Sequence, residues 1–149
     1  MNTAVNTEVN TEVTMDDIPE GFELIDMGPG FMAAFGPVYL QRATRTLGFR
    51  VAAHHLNPVD MCNGGAMATF ADLQIAAVID GPGTASGHTP TITLSVDYLG
   101  PAPHGAWVEA PVRLVKQTKT LIFTQTLISA NDQPVARANA IYRHYLTAR

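Results

Sequence analysis

One stretch limits what this chain can fold into more than any other. Residues 64 to about 80 read as a single long helix in which Met67, Phe70, Ala71, Leu73, Ile75, Ala76, Ala77, Val78 and Ile79 leave almost no polar face. A helix that is apolar nearly all round has to be enclosed. At about 1.5 Å per residue it runs about 26 Å, more than one sheet can cover on every side, so another element or a second subunit must supply part of the cover. Gly81-Pro82-Gly83 marks its stop.

Strands surround this helix in the sequence. Val38 to Ala43 and Arg45 to Ala53 precede it, the second alternating Leu47, Phe49 and Val51 with Thr46, Gly48 and Arg50. After it come Thr91 to Tyr98, Trp107 to Val115, Leu121 to Ala130 and Val135 to Tyr145, with turns at Gly100-Pro101, Gln117-Thr118 and Asn131-Asp132. Two strands, one long helix and four consecutive strands argue an α+β fold, one antiparallel sheet of five to six strands wrapped around one central helix. Upstream, residues 18–37 mix Pro, Gly and aromatics, which fits a lid or flank with a short helix around Phe31 to Phe35. Residues 1–16 carry an acidic Asn-Thr-Glu-Val repeat with no face to bury and read as a disordered tail, leaving 17–149 as one domain.

Charge narrows the partners. Charged residues are 15% of the chain against 46% apolar, where an ordinary soluble domain carries about 25% charged. So thin a charged surface points to a homo-oligomer, a dimer or tetramer. Seven of the thirteen acids lie in residues 1–26, leaving residues 27–149 with six acids and nine bases. A mildly basic body with scattered bases suits a small polyanion better than nucleic acid. The lone Cys62 forms no internal disulfide, the N-terminus has no leader pattern, and no apolar run reaches the ~20 residues of a membrane span. A cytoplasmic protein, with no membrane partner, is the expectation.

Two features of the helix carry chemistry. Asp72 lies mid-helix among Ala, Phe, Leu and Ile. A carboxylate there either reaches solvent at a groove between subunits, pairs with a base, or is kept as a reacting group with an altered pKa. The helix supplies nothing to neutralise it, so its partner comes from elsewhere. The second feature is the start, Asn63-Gly64-Gly65, where free backbone N–H groups and the positive dipole end form a ready oxyanion hole, or simply a glycine-rich start with an Asn cap. Gly64 and Asp72 are separated by about 12 Å of axial rise, too far to act together on one carbonyl within one chain. Two antiparallel helices bring one chain's Asp72 to the other's Gly64, so a site shared across a two-fold axis is expected.

The run from His55 to Asp72 resembles the hotdog-fold thioesterases of the phenylacetate-pathway, PaaI-like branch. That pattern is an Asn, six residues on a His-Gly-Gly, and an Asp eight after the first Gly; here these are Asn57, Asn63-Gly64-Gly65 and Asp72. The resemblance continues through Thr91 to Ala102 and the Val115 to Phe123 hairpin, covering residues 38–146. It implies an acyl-CoA thioesterase acting on aryl- or medium-chain acyl groups, without cofactor. Asp72 is then the nucleophile or general base, Gly64 the backbone donor to the thioester carbonyl, Asn57 the side chain that positions the carbonyl or water, and Thr91 the hydroxyl that holds water near Asp72. The family's His is Asn63 here, an amide that still donates a hydrogen bond but cannot titrate. Thiolate is a good leaving group and needs no strong acid.

Further candidates are Gly65, where a substrate can approach the backbone, and Phe31, Phe35, Met67 and Phe70 around the acyl group. Lys116 and Lys119, with Arg137 and Arg143, are the candidates for the coenzyme A phosphates. His54 and His55 read as surface or loop residues, Cys62 as an inert thiol, and no metal site is expected. Two other functions stay open: an acyl-CoA binding or sensing protein without turnover, which Asn63 favours, and an acyl-thioester hydratase or dehydratase, which would need an Asp with a His five residues on at the helix start.

Overall fold

The computed structural model describes residues 17–79 and 88–145. The expected tail at 1–16 and the helix stop at Gly81-Pro82-Gly83 lie outside them. Seven strands form one antiparallel sheet: β1 (Glu23–Ile25), β2 (Val38–Gln41), β3 (Thr46–Arg50), β4 (Thr91–Tyr98), β5 (Trp107–Gln117), β6 (Leu121–Ala130) and β7 (Gln133–Arg143), in the spatial order β1-β2-β3-β5-β6-β7-β4. The strand beyond the expected six is β1, three residues pairing with β2 through Leu24 and Tyr39. The short helix α1 (Phe31–Phe35) stands where it was expected.

The inner face of the sheet carries the core. Leu47, Phe49, Val108, Ile128 and Tyr142 are fully buried, and Ala110, Ala136, Ala138 and Ala140 keep that face shallow enough for helical backbone to lie against it. On the other face of β3, Gly48 leaves room for an aromatic cover: a Cβ there would meet Trp107 Cζ2 at 2.3 Å. Trp107 packs edge-on to Phe22 at 5.2 Å and beneath the Arg50 guanidinium at 5.4 Å. The 17–25 arm thus shields the outside of β3, and both faces of that strand are buried.

The central helix is two helices, α2 (Gly64–Ala71) and α3 (Gln74–Val78), where one was expected. Asp72 is therefore the C-cap of α2, at φ −74°, ψ −10°, and not a mid-helix residue. Two buried side chains bond the main chain at the break. The buried Gln74 side chain donates from Nε2 to the Ala71 carbonyl at 3.0 Å, and the buried Tyr142 hydroxyl donates to the Asp72 carbonyl at 2.7 Å. The chain tightens there into three-residue turns, Leu73 N–H to Phe70 O and Ala76 N–H to Leu73 O. Met67, Phe70, Ala71, Leu73 and Ala77 are buried in the core, and Ala66, Ile75, Ala76 and Val78 pack half-buried against its margins. No helix among the described residues is long and apolar enough to cross a membrane.

Candidate active site

The chain enters α2 through a tight loop. Leu56 pairs with Cys62, the Asn57 N–H donates to Met61 O at 2.7 Å, and Asp60 takes φ 59° to close the turn. The Asn57 Oδ1 accepts from the Val59 and Met61 N–H groups at 3.0 and 3.1 Å, so its amide NH₂ is the part that can serve a ligand. Cys62 N–H to Ala102 O and Asn63 N–H to His55 O, each 2.7 Å, tie the loop to the body of the fold.

Asn63 is the N-cap. Its Oδ1 accepts from the Gly65 N–H at 2.7 Å and its carbonyl from the Met67 N–H at 3.0 Å. That bond commits Gly65's N–H to the cap and leaves the Gly64 N–H as a backbone donor at this end. Two further bonds steady the first turn: Thr69 Oγ1 donates to Gly65 O at 2.9 Å, and the Tyr98 hydroxyl to Gly64 O at 2.5 Å. Tyr98 was not expected in this role; its signal in the sequence was only that it ends an alternating strand.

Beside this helix start lies an open cavity of about 410 Å³ lined by Phe31, Phe35, His54, Asn63, Gly65 and Thr69, among others. Its outer wall, α1, is moored by two histidines that converge on one carbonyl: His54 Nε2 and His55 Nε2 lie 2.7 and 2.6 Å from Phe35 O. Because His55 Nδ1 accepts from the Ala52 N–H at 2.9 Å, Nε2 carries its proton. His55 is buried, not a surface residue, and burial lowers its pKa. Phe31 and Phe35 line this cavity, but Met67 and Phe70 do not: both sit in the core, Phe70 packed at a tilt on Phe49 at 4.6 Å.

The second pole of the site is the end of α2. The Thr91 hydroxyl donates to Asp72 Oδ1 at 2.7 Å. Burial pushes the Asp72 carboxyl above the ordinary aspartate range, and the Thr91 bond, which favours the ionised form, opposes it. Burial also pushes the Cys62 thiol up to about 11, which leaves it protonated at neutral pH.

Strand β4 spans both poles, with Tyr98 at Gly64 and Thr91 at Asp72. It is also the sheet's edge, with Ile92 and Tyr98 more than half exposed. The structure therefore joins Thr91 to Asp72 and groups Asn63, Gly64 and Gly65, but holds these two groups at opposite ends of one helix. Lys116 and Lys119 are at the Asp72 end, where the register runs Thr91, Tyr142, Ile122, Gln117 across four strands, about 14 Å. Arg137 pairs with Asp97 at 2.7 Å, and Arg143 lies over Tyr145. Among the described residues no three His, Cys, Asp or Glu side chains are grouped to hold a metal.

Comparison with known proteins agrees with this architecture. A protein of Pseudomonas aeruginosa described as "putative esterase" is 25% identical over 131 residues, covering 86% of this chain and 98% of the relative. The PaaI protein of the E. coli phenylacetic acid degradation operon superposes with a TM-score of 0.60 at 22% identity, over 83% of this chain and 79% of the other. The smu.793 protein of Streptococcus mutans, in a structure bound to acetyl CoA, superposes with a TM-score of 0.61 at 18% identity, over 91% and 99%. The sheet wrapped on α2 and α3 is thus the hotdog fold. The sequence profile of the thioesterase superfamily matches residues 60–136, more than half the chain, and the chain belongs to that superfamily.

Proposed function

We propose that this protein is an acyl-CoA thioesterase that hydrolyses aryl- or medium-chain acyl-CoA to the free acid and CoA at a site shared by two chains. The observation that carries the reading is the placement of the two poles on an edge strand: Thr91 holds Asp72 at one end of β4, and Tyr98 holds the Gly64 turn at the other. An edge strand offers unpaired N–H and C=O groups. Two copies of β4 paired antiparallel about a two-fold axis would set one chain's Thr91 end beside the partner's Tyr98 end, and so one Asp72 beside the other Gly64. The exposed Ile92 and Tyr98 on β4 support such an assembly.

In that site the thioester carbonyl accepts from Gly64 N–H at the positive end of α2, where negative charge develops on oxygen. Asn57 steadies the carbonyl or the attacking water. Asp72, ionised and oriented by Thr91, either removes a proton from water or attacks the thioester carbon to form an anhydride that water then opens. CoA departs as thiolate, so the absence of a titratable group at Asn63 is tolerated. The acyl group fills the cavity walled by Phe31 and Phe35. Lys116 and Lys119, at the Asp72 end, would meet the phosphates of a CoA lying across the two chains. Acetyl CoA in the Streptococcus mutans structure supports this class of ligand.

The test is thiol release from a panel of aryl-, short- and medium-chain acyl-CoA thioesters, with Asp72→Asn beside wild type. Release that falls at least about a hundredfold in the variant is expected. Tight acyl-CoA binding with no release by wild type would replace the enzyme with a binding or sensing protein.

A further inference from the structure

The Asp72 carboxylate is held from one side by Thr91, and its main chain is held from the other by Tyr142. The two are direct cross-strand partners, Thr91 on β4 opposite Tyr142 on β7. Tyr142 is fully buried, its ring fills the second core cluster with Ile122 and Ala140, and its hydroxyl donates to the Asp72 carbonyl at 2.7 Å.

In an uninterrupted helix the Asp72 carbonyl would accept from the Ala76 N–H. Here Ala76 N–H goes to Leu73 O at 2.9 Å instead. The Tyr142 hydroxyl replaces the lost donor, and with it the helix can break immediately after Asp72. Asp72 itself keeps helical φ and ψ, and from this last turn of α2 its side chain meets Thr91.

We propose that Tyr142 is a positioning residue for the reaction: its hydroxyl, set into the break between α2 and α3, holds Asp72 in register with Thr91 as a two-point clamp across β4 and β7. This rests on the reading of Asp72 as the reacting carboxylate. Without the hydroxyl the Asp72 carbonyl turns to Ala76 N–H, the helix regularises, and the carboxylate swings off Thr91.

The test compares Tyr142→Phe, Thr91→Val and the double variant. Tyr142→Phe keeps the ring and is expected to lower kcat about 10- to 100-fold, the scale of a catalytic group displaced by about 1 Å, with KM within about twofold. Both single variants are expected to move the acid limb of the pH–rate profile to higher pH, and the double variant to be no slower than the worse single. Wild-type kcat and acid limb in Tyr142→Phe, or losses that multiply in the double variant, would overturn the clamp. A ¹³C titration of the Asp72 carboxyl reads the same effect without turnover: Tyr142→Phe shifts it upward if the clamp holds and leaves it unmoved if not. Full thiol release by Asp72→Asn would instead remove the mechanism, and the titration then decides the clamp alone. If phenylalanine prevents folding, 4-aminophenylalanine at 142, which retains a weaker N–H donor, is expected to give smaller shifts in the same direction; no shift would refute the proposal.

Discussion

Gly64→Ala separates what the α2 start does for the fold from what it does for the reaction. Gly64 is the first helical residue and its φ is not positive, so alanine fits the backbone. A Cβ built there meets Tyr98 Cζ and Oη at 3.4 Å and Cε1 at 3.6 Å, ordinary van der Waals contact with nothing displaced. Replacing glycine at a compatible position reduces unfolded-state entropy and stabilises by about 0.4–1 kcal/mol. For a domain of this size that raises Tm by about 1–5 °C. The same methyl group stands beside the N–H that must receive the thioester oxygen. Removing an oxyanion donor costs about 10²–10³ in kcat, and crowding one is expected to cost at least about tenfold. The assay pairs a thermal melt with thiol release from the best acyl-CoA substrate. A variant that melts below wild type would show that the space around Gly64 is tighter than its distances say. A stable variant with full activity would mean that the substrate carbonyl does not approach Gly64.

Asp72→Asn is expected to raise Tm at neutral pH while abolishing activity. Burial raises the Asp72 pKa, so the folded chain holds that proton more tightly than the unfolded chain; the carboxyl's contribution to stability is greatest below the ordinary aspartate pKa and declines as pH rises through the raised value. Asparagine keeps an acceptor for Thr91 without the charge, so its advantage should appear in melts near pH 7.5 and vanish near pH 3.5, and a lower Tm at neutral pH contradicts the sign. Gly48→Ala forces a Cβ to 2.3 Å from the Trp107 ring, which Phe22 and Arg50 hold in place, and should cost about 1–3 kcal/mol in a denaturant titration. Cys62, with its thiol near 11, should react with iodoacetamide slowly at pH 7.5, and Cys62→Ser should retain activity; rapid labelling with loss of turnover would give the thiol a role.

Period and composition carried the strand pattern, the short helix Phe31–Phe35 and the need to enclose residues 64–79. They also exposed Asp72, because a carboxylate among alanines and large apolar side chains has to be explained. The break after Ala71 was invisible to them: it is made by the Tyr142 hydroxyl, seventy residues away along the chain, and by the Gln74 amide. A helix apolar all round also gives no indication of which face meets the sheet, and so Met67 and Phe70, read as lining a ligand, belong to the core. Strand β1, three residues long, is too short to show a period, and appears only through its pairing with β2. Thr91 and Asn57 were legible only through family resemblance, since no local pattern links a strand threonine to a carboxylate nineteen residues earlier. Tyr142 carries a more general signal: a buried tyrosine on a strand needs a partner for its hydroxyl, and here the partner is the main-chain carbonyl of the α2 C-cap.

The central claim is that one site takes Asp72 from one chain and Gly64 from another, and complementation tests it most directly. Asp72→Asn and Gly64→Ala chains, carrying different tags, are co-expressed and the doubly tagged dimer is purified. If the site is shared, one of its two sites has both residues intact, and thiol release should recover to about half that of the wild-type dimer. Release no greater than the average of the two single-variant homodimers would place both residues of each site on one chain and contradict the account.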